Sequence, residues 1–453
     1  VIRFFRVNDP YRLVVVLFIL VIVRVIYGAI GLPLSHPELK YLLLGEWLGQ
    51  GFAMYTETFD YTAPLSAWTY ELLDKLFGRS RTSHWVVSTV LVFLQAAWFN
   101  RSLINNKVFA ESNYVPSFLY VVFSVATFDF FALSPQLMSL TWVVISIDHL
   151  IRKMDNEAGD ELFMFPGFYL GIAALFYFPA TAFFVVFLLA LIVITQAQLR
   201  RILLFVFGYA TAFFIVIVLL YFSGSLAEFW NVYFIELTRE KLFYFTYLDL
   251  LVWGALPTII FFVALFKALG KREGSLHAKT QQFMLLVFMA SGSVMLLSGT
   301  LSGIEVIFFV PVFTFFISNY IFKIRRKIWR VITPNVLILG ALVVPYLSLT
   351  YDSIQENLVV RPSTAEPAIA NKRIMIIGPI DDRYLQGAIS SPFIDEGISK
   401  VRLDGLDYYH KAPIFLEIIK KAQPEIVVDA WSQMDRLEHR FPEVEAMELR
   451  VLD

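Results

Sequence analysis

The sequence predicts a polytopic α-helical membrane protein, with about eleven transmembrane helices followed by a small C-terminal α/β domain. Three observations predict it. Apolar residues come in blocks of about 18–22, the length that crosses a bilayer as a helix. Lys and Arg fall unevenly between alternate connecting segments. After residue 350 the text changes from continuous apolar blocks to short alternating elements.

The first observation rests on composition as well as pattern. The 453 residues are 58% hydrophobic and 17% charged, with a mean hydropathy of +0.66, whereas soluble domains carry about 25% charged residues. Spans are expected at 13–34, 85–104, 114–132, 135–151, 164–180, 181–199, 201–223, 247–268, 282–299, 304–322 and 331–350. The first is longer than the apolar core of a signal peptide and is read as a retained helix.

The second observation sets orientation. With the N-terminus in the cytoplasm, inside segments hold eighteen Lys and Arg, and outside loops hold six. Such a bias marks the cytoplasmic side. Eleven spans then place the C-terminal domain outside. The net charge of −1 gives no reason to expect nucleic acid as a partner, and the absence of cysteine excludes disulfides and thiolate metal sites.

The third observation divides the chain into a transmembrane domain (1–350), a Pro-, Ala- and Ser-rich linker (351–371) and an α/β domain (372–453). In the last, 373–378 (RIMIIG) and 424–430 (PEIVVDA) read as buried strands, with an amphipathic helix at 412–422 between them. This alternation predicts parallel strands.

The outside loop 35–84 is longer than a connection needs, and long loops are often functional. Residues 38–51 have helical apolar spacing suited to the membrane surface. MYTETFDY (54–61) sets Glu57 and Asp60 three residues apart, and 62–78 reads as a helix opened by Pro64 and closed by Gly78. Acids in such a loop suit general-base or metal-binding roles, although from spacing alone a solvated pair is the commoner case. Arg24 lies inside the first span, where a charge is costly and faces the bundle interior. Asp129 sits near the outer end of the third span, and Glu305 opens the tenth, where the helix dipole favours a carboxylate. Arg239 and Lys241 are the basic residues of the second long outside loop. The run KIRRKIWR (323–330) is explained by the positive-inside bias and anionic headgroups. The six histidines show no metal-ligand spacing.

The loop pattern Gly51, Tyr55, Glu57, Asp60, Pro64-Leu65, then Leu76-Phe77-Gly78, resembles the GT-C superfamily of membrane glycosyltransferases, which use polyprenyl-phosphate sugars and include protein mannosyltransferases and lipid A aminoarabinose transferases. Glu38 with Tyr41, Leu133-Ser134-Pro135 and the 376–394 stretch are similar to further motifs of that superfamily. The chain departs from it at Pro37, where many members carry Asp. The resemblance implies a transferase of a bacterial inner (cytoplasmic) membrane, acting on the extracytoplasmic side on a lipid, glycan or protein acceptor. Its donor would be a polyprenyl-phosphate-linked sugar, and a divalent cation is a compatible cofactor. The catalytic acids would be Glu57, Asp60 or Glu38. Arg24, Arg239 and Lys241 would hold the donor phosphate. Tyr55, Trp68 and Asp129 would contact substrate, and the tail would dock acceptor or protein partners. The departure at Pro37 equally fits a non-catalytic scaffold subunit of a membrane complex.

Overall fold

In a computed structural model, residues 1–155, 159–238, 242–269, 275–348, 351, 357–361, 369–404, 412–440 and 450–452 are described. Arg239 and Lys241 lie outside them. The chain forms two compact units. The first comprises Val1–Leu32, His84–Val216 and Leu237–Asn357, and the second Pro33–Ser83, Ile217–Glu236 and Leu358–Asp453.

The helical membrane architecture is plain in the first unit. Among the described residues, six helices are long and apolar enough to cross a bilayer: Tyr11–Ile30, Arg81–Asn105, Leu199–Phe222, Leu276–Leu297, Gly303–Lys323 and Ile328–Leu347. A seventh is the pair Tyr247–Trp253 and Ala255–Ala268, bent by 74° at its break. Met164–Phe176 and Phe178–Val193 are apolar but shorter. Tyr11–Ile30 buries Val16, Leu20, Arg24 and Tyr27, a stripe at helical spacing. Val14, Phe18, Val25 and Ile26 on its other faces are exposed, as suits a lipid-facing surface.

The segment expected to span at 114–132 is interrupted. Helix Val115–Phe123 is followed by the 3-10 turn Phe128–Phe131. Irregular backbone inside a bundle is tolerated where it is buried in protein and its polar groups are satisfied. Arg24 does this, donating to the carbonyls of Phe130 (3.1 Å) and Phe131 (3.3 Å).

Two helices approach closely where glycines remove the side chain. A Cβ on Gly167 would lie 1.9 Å from the Phe205 carbonyl oxygen, and one on Gly208 2.0 Å from that of Met164. Small residues at such crossings let apolar helices gain dispersion contact.

In the second unit, helix His36–Gly49 packs along Pro64–Phe77. Ser35 caps the first of these, its hydroxyl accepting from the Glu38 amide (3.3 Å), and Pro37 fits the first turn, where no intrahelical N–H is needed. The same unit holds a parallel sheet in the order Ala388–Ile389, Arg373–Ile376, Ile426–Val428, Arg450–Leu452. The central register is Ile374 to Ile426 and Ile376 to Val428, and apart from the exposed Arg373 both strands are buried, as their apolar runs require. Loop and tail are stitched by backbone bonds. The Phe59 amide donates to Pro392 (2.8 Å) and the Asp395 amide to Phe59 (2.9 Å), while His36 and Leu358 pair at 2.9 Å.

Candidate active site

The loop acids reach three different environments, each set by its local chain. Glu38, in the first turn of helix His36–Gly49, points at Arg81. The guanidinium donates Nε to Oε1 and Nη2 to Oε2, both at 2.9 Å, and Nη2 also reaches the Pro33 carbonyl (2.8 Å). This two-pronged pairing is strong and orientationally fixed. It ties the start of the helix to the end of the loop.

Glu57 closes a turn. Its Oε2 accepts from the Ala53 amide (2.7 Å) and from Lys421 Nζ (2.8 Å), and its carbonyl accepts from the Trp47 indole (3.2 Å). Tyr55, next to it, has φ +69, its ring is buried, and its hydroxyl donates to the Thr62 carbonyl (2.9 Å). Burial first, and the Asp60 carboxylate second, hold the Tyr55 phenol well above its usual range. Tyr70 is raised in the same way, with Tyr41 and Asp60 adding to burial, and its ring stacks on that of Tyr41 at 5.1 Å. Trp68 is half-buried on helix Pro64–Phe77.

Asp60 stands apart from the other two acids. It is 0% exposed, and Lys40 Nζ sits 2.6 Å from its Oδ1. The same ammonium lies 2.8 Å from Oδ2 of Asp395, which is contributed by the tail. Oδ2 of Asp60 has no hydrogen-bond partner among the described residues. Asp395 is further fixed by the Gly397 amide on Oδ1 (3.0 Å). Arg402 completes the surroundings. It donates to the Tyr55 carbonyl (3.3 Å) and to Glu228, and lies 5.6 Å from the centre of the Phe59 ring. Lys40, Asp395 and Arg402 were not among the expected site residues. Lys40 is one of the six basic residues of the outside loops, and Asp395 follows directly on the 376–394 stretch.

Between Asp60 and Asp395 an ammonium occupies the position that a bridging cation would need. No group of three or more His, Asp or Glu able to hold a metal occurs among the described residues. Around Asp60 the described residues offer two carboxylates bridged by an ammonium.

In the first unit, Arg24 is buried and spends its guanidinium on the scaffold. Beyond the two carbonyls of the turn, Nη1 donates to the Ser88 hydroxyl (2.6 Å) and to the Trp85 carbonyl (3.3 Å). The turn it holds carries Asp129, also buried, which accepts from the Gly303 amide (3.2 Å). Asp129 is the charged group of a cavity of about 70 Å³, walled by Phe123, Phe130, Trp253, Leu256 and Phe313. Glu305 is fully buried and serves as a capping residue, accepting from the Ser302 amide (2.8 Å), the Ser302 hydroxyl (2.9 Å) and Gln136 (3.2 Å).

A family model described as a family of unknown function, DUF6427, matches residues 71–357. The chain belongs to DUF6427. Comparison with curated proteins finds no match in sequence. Solved structures do resemble the DUF6427 chain. ArnT from Cupriavidus metallidurans, bound to undecaprenyl phosphate, superposes with a TM-score of 0.56 at 9% identity, over 98% of this chain and 90% of its own. The archaeal oligosaccharyltransferase AglB from Archaeoglobus fulgidus, in complex with an inhibitory peptide and a dolichol-phosphate, gives 0.50 at 10% identity, over 96% and 71%. At such identities the likeness concerns the fold. This DUF6427 protein has a GT-C-like fold and is a multi-pass membrane protein.

Proposed function

We propose that this protein is a membrane glycosyltransferase that moves a sugar from a polyprenyl-phosphate carrier to a hydroxyl of a lipid, glycan or protein acceptor. The reaction would take place on the extracytoplasmic side of a bacterial inner membrane. In this reading the chain has eleven spans and a cytoplasmic N-terminus, and residues 372–453 form an extracytoplasmic domain. The observation that carries the proposal is Asp60, a fully buried carboxylate with one oxygen held by Lys40 and the other without a hydrogen-bond partner among the described residues, in a fold shared with a protein bound to undecaprenyl phosphate.

Asp60 is the general base. It takes the acceptor's hydroxyl proton as that oxygen attacks the anomeric carbon. The new glycosidic C–O bond forms while the bond from the anomeric carbon to the phosphate oxygen breaks. The electron pair leaves on the polyprenyl phosphate. Glu38 and Glu57, each engaged by a basic partner, position the loop. The departing phosphate is assigned to Arg239 and Lys241, whose fixed charge stabilises the negative charge developing there. Arg24 is a positioning residue for the turn that carries Asp129. Tyr55, whose phenol feels the Asp60 charge, and Trp68 on helix Pro64–Phe77 are the aromatic residues assigned to substrate, and no metal is assigned a step.

A second reading is favoured by one observation. Glu38, Glu57 and Asp60 are all ion-paired, as expected of a loop clamped for a structural role in a complex. Mass spectrometry of envelope glycolipids and glycoproteins separates the two, comparing cells with wild-type or Asp60→Asn protein at matched membrane levels. Loss of one sugar from one acceptor class supports the transferase. An unchanged profile in both Asp60→Asn and deletion cells leaves only the scaffold.

A further inference from the structure

We propose that the first unit carries a binding groove for the phosphate headgroup of an anionic glycerophospholipid, built where Ala255–Leu269 and Val310–Lys323 end and Lys327–Ser348 begins. The groove encloses about 570 Å³ and is lined by Lys267, Lys323, Arg325 and Arg326, with Tyr320 and Trp329. No Asp or Glu is among its described lining residues. Four cations around one concave space attract a multiply charged or bridging anion far more than scattered surface charges do.

The groove's construction is specific. Lys267 is held over the Tyr320 ring at 4.6 Å and donates to its hydroxyl (3.3 Å). Arg330 donates twice to the Ile324 carbonyl, at 2.8 and 3.2 Å, which fixes the short link that carries Arg325 and Arg326. Both of those arginines are exposed, and a guanidinium fork matches phosphate geometry.

The walls favour a lipid over a soluble anion. Val263, Ala264 and Ile324 line the same space, and the helices that form it are span-length or part of the bent pair, so it opens at the level of the membrane interface. Phe266 (72% exposed) and Ile328 (64%), next in the chain to Lys267 and Trp329, add exposed apolar surface suited to acyl chains. Basic pockets between transmembrane helices are a recurring solution for anionic headgroups. The inference does not depend on the transferase reading.

The test uses the full chain purified in neutral detergent and stripped of lipid. Phosphatidylglycerol and cardiolipin are titrated against phosphatidylcholine, with bound lipid read by native mass spectrometry and thermal unfolding followed in parallel. The anionic lipids are expected to bind and raise the unfolding midpoint, and phosphatidylcholine to do neither. Lys267→Gln/Arg325→Gln/Arg326→Gln should weaken anionic-lipid binding about ten-fold or more, while Arg101→Gln, an exposed arginine outside the groove, should leave it unchanged. Equal weakening by Arg101→Gln, or unaltered binding by the triple variant, would overturn the site. Inorganic pyrophosphate binding as tightly as the lipids would overturn the lipid assignment. If the triple variant unfolds in detergent, Arg325→Gln and Arg326→Gln taken singly, each expected to weaken binding, carry the same decision.

Discussion

Lys40 Nζ stands 2.6 Å from Oδ1 of Asp60, and the same nitrogen reaches Asp395, which lies 355 residues further along the chain. One ammonium thus compensates two carboxylates, one of them without solvent contact. Replacing it removes the ammonium that compensates the buried Asp60: Lys40→Met should destabilise the protein by about 3–5 kcal/mol, the cost of an orphaned buried charge. Lys40→Met/Asp60→Asn should regain part of that. Thermal unfolding in detergent measures both, and additive losses would show that the pair is not coupled.

Arg24 is predicted to act through geometry rather than charge alone. Its fork spans the carbonyls of Phe130 and Phe131, which a single ammonium cannot reproduce. Arg24→Leu should cost about 3 kcal/mol through unsatisfied buried carbonyls, and Arg24→Lys should recover less than half. Full rescue by lysine would assign the residue a purely electrostatic role.

His36 gives a pH dependence whose sign is fixed. Burial pushes its pKa down, and this is partly offset by the Ile380 backbone and by Asp382. The folded state therefore favours the neutral ring, and the unfolded state binds the proton first as pH falls. This contribution is complete above the ordinary histidine value of about 6.5 and is lost as pH drops through the lowered folded value. Unfolding midpoints of His36→Gln should fall less than those of wild type over that window. Parallel curves would remove His36 from the account.

The glycine crossing is the most severe packing constraint described. Gly167→Val places carbon where the Phe205 carbonyl already lies, and overpacking of that kind costs about 3 kcal/mol or more. The variant should fail to accumulate in membranes, whereas Gly292→Val, where a Cβ meets nothing within 4 Å, should accumulate normally. Immunoblots of membrane fractions decide it.

Much of this molecule is legible in its residues. Apolar block length and the strands around Ile374 and Val427 follow from periodicity, because burial alone dictates them. The helix dipole accounts for a carboxylate at Glu305, but its capping bonds to Ser302 come from the structure. The break after Phe123 is not legible, since it depends on a guanidinium donated from another helix. Nor are the partners of the loop acids. Glu57 meets Lys421, and Lys40 meets both Asp60 and Asp395. Spacing reports neighbours three or four residues away and is silent about partners such as Lys40 for Asp60 or Lys421 for Glu57, which lie further away along the chain.

The second unit draws on three stretches of chain, 33–83, 217–236 and 358–453, and this fixes an order of events during synthesis. At about 5–20 residues per second, the 355 residues between Lys40 and Asp395 take roughly 20–70 s to emerge. Throughout that interval the loop waits without its tail partners. A chain arrested between residues 350 and 395 has its apolar helices made while Lys40 still lacks Asp395, so for that stretch of synthesis the loop depends on a tail yet to emerge.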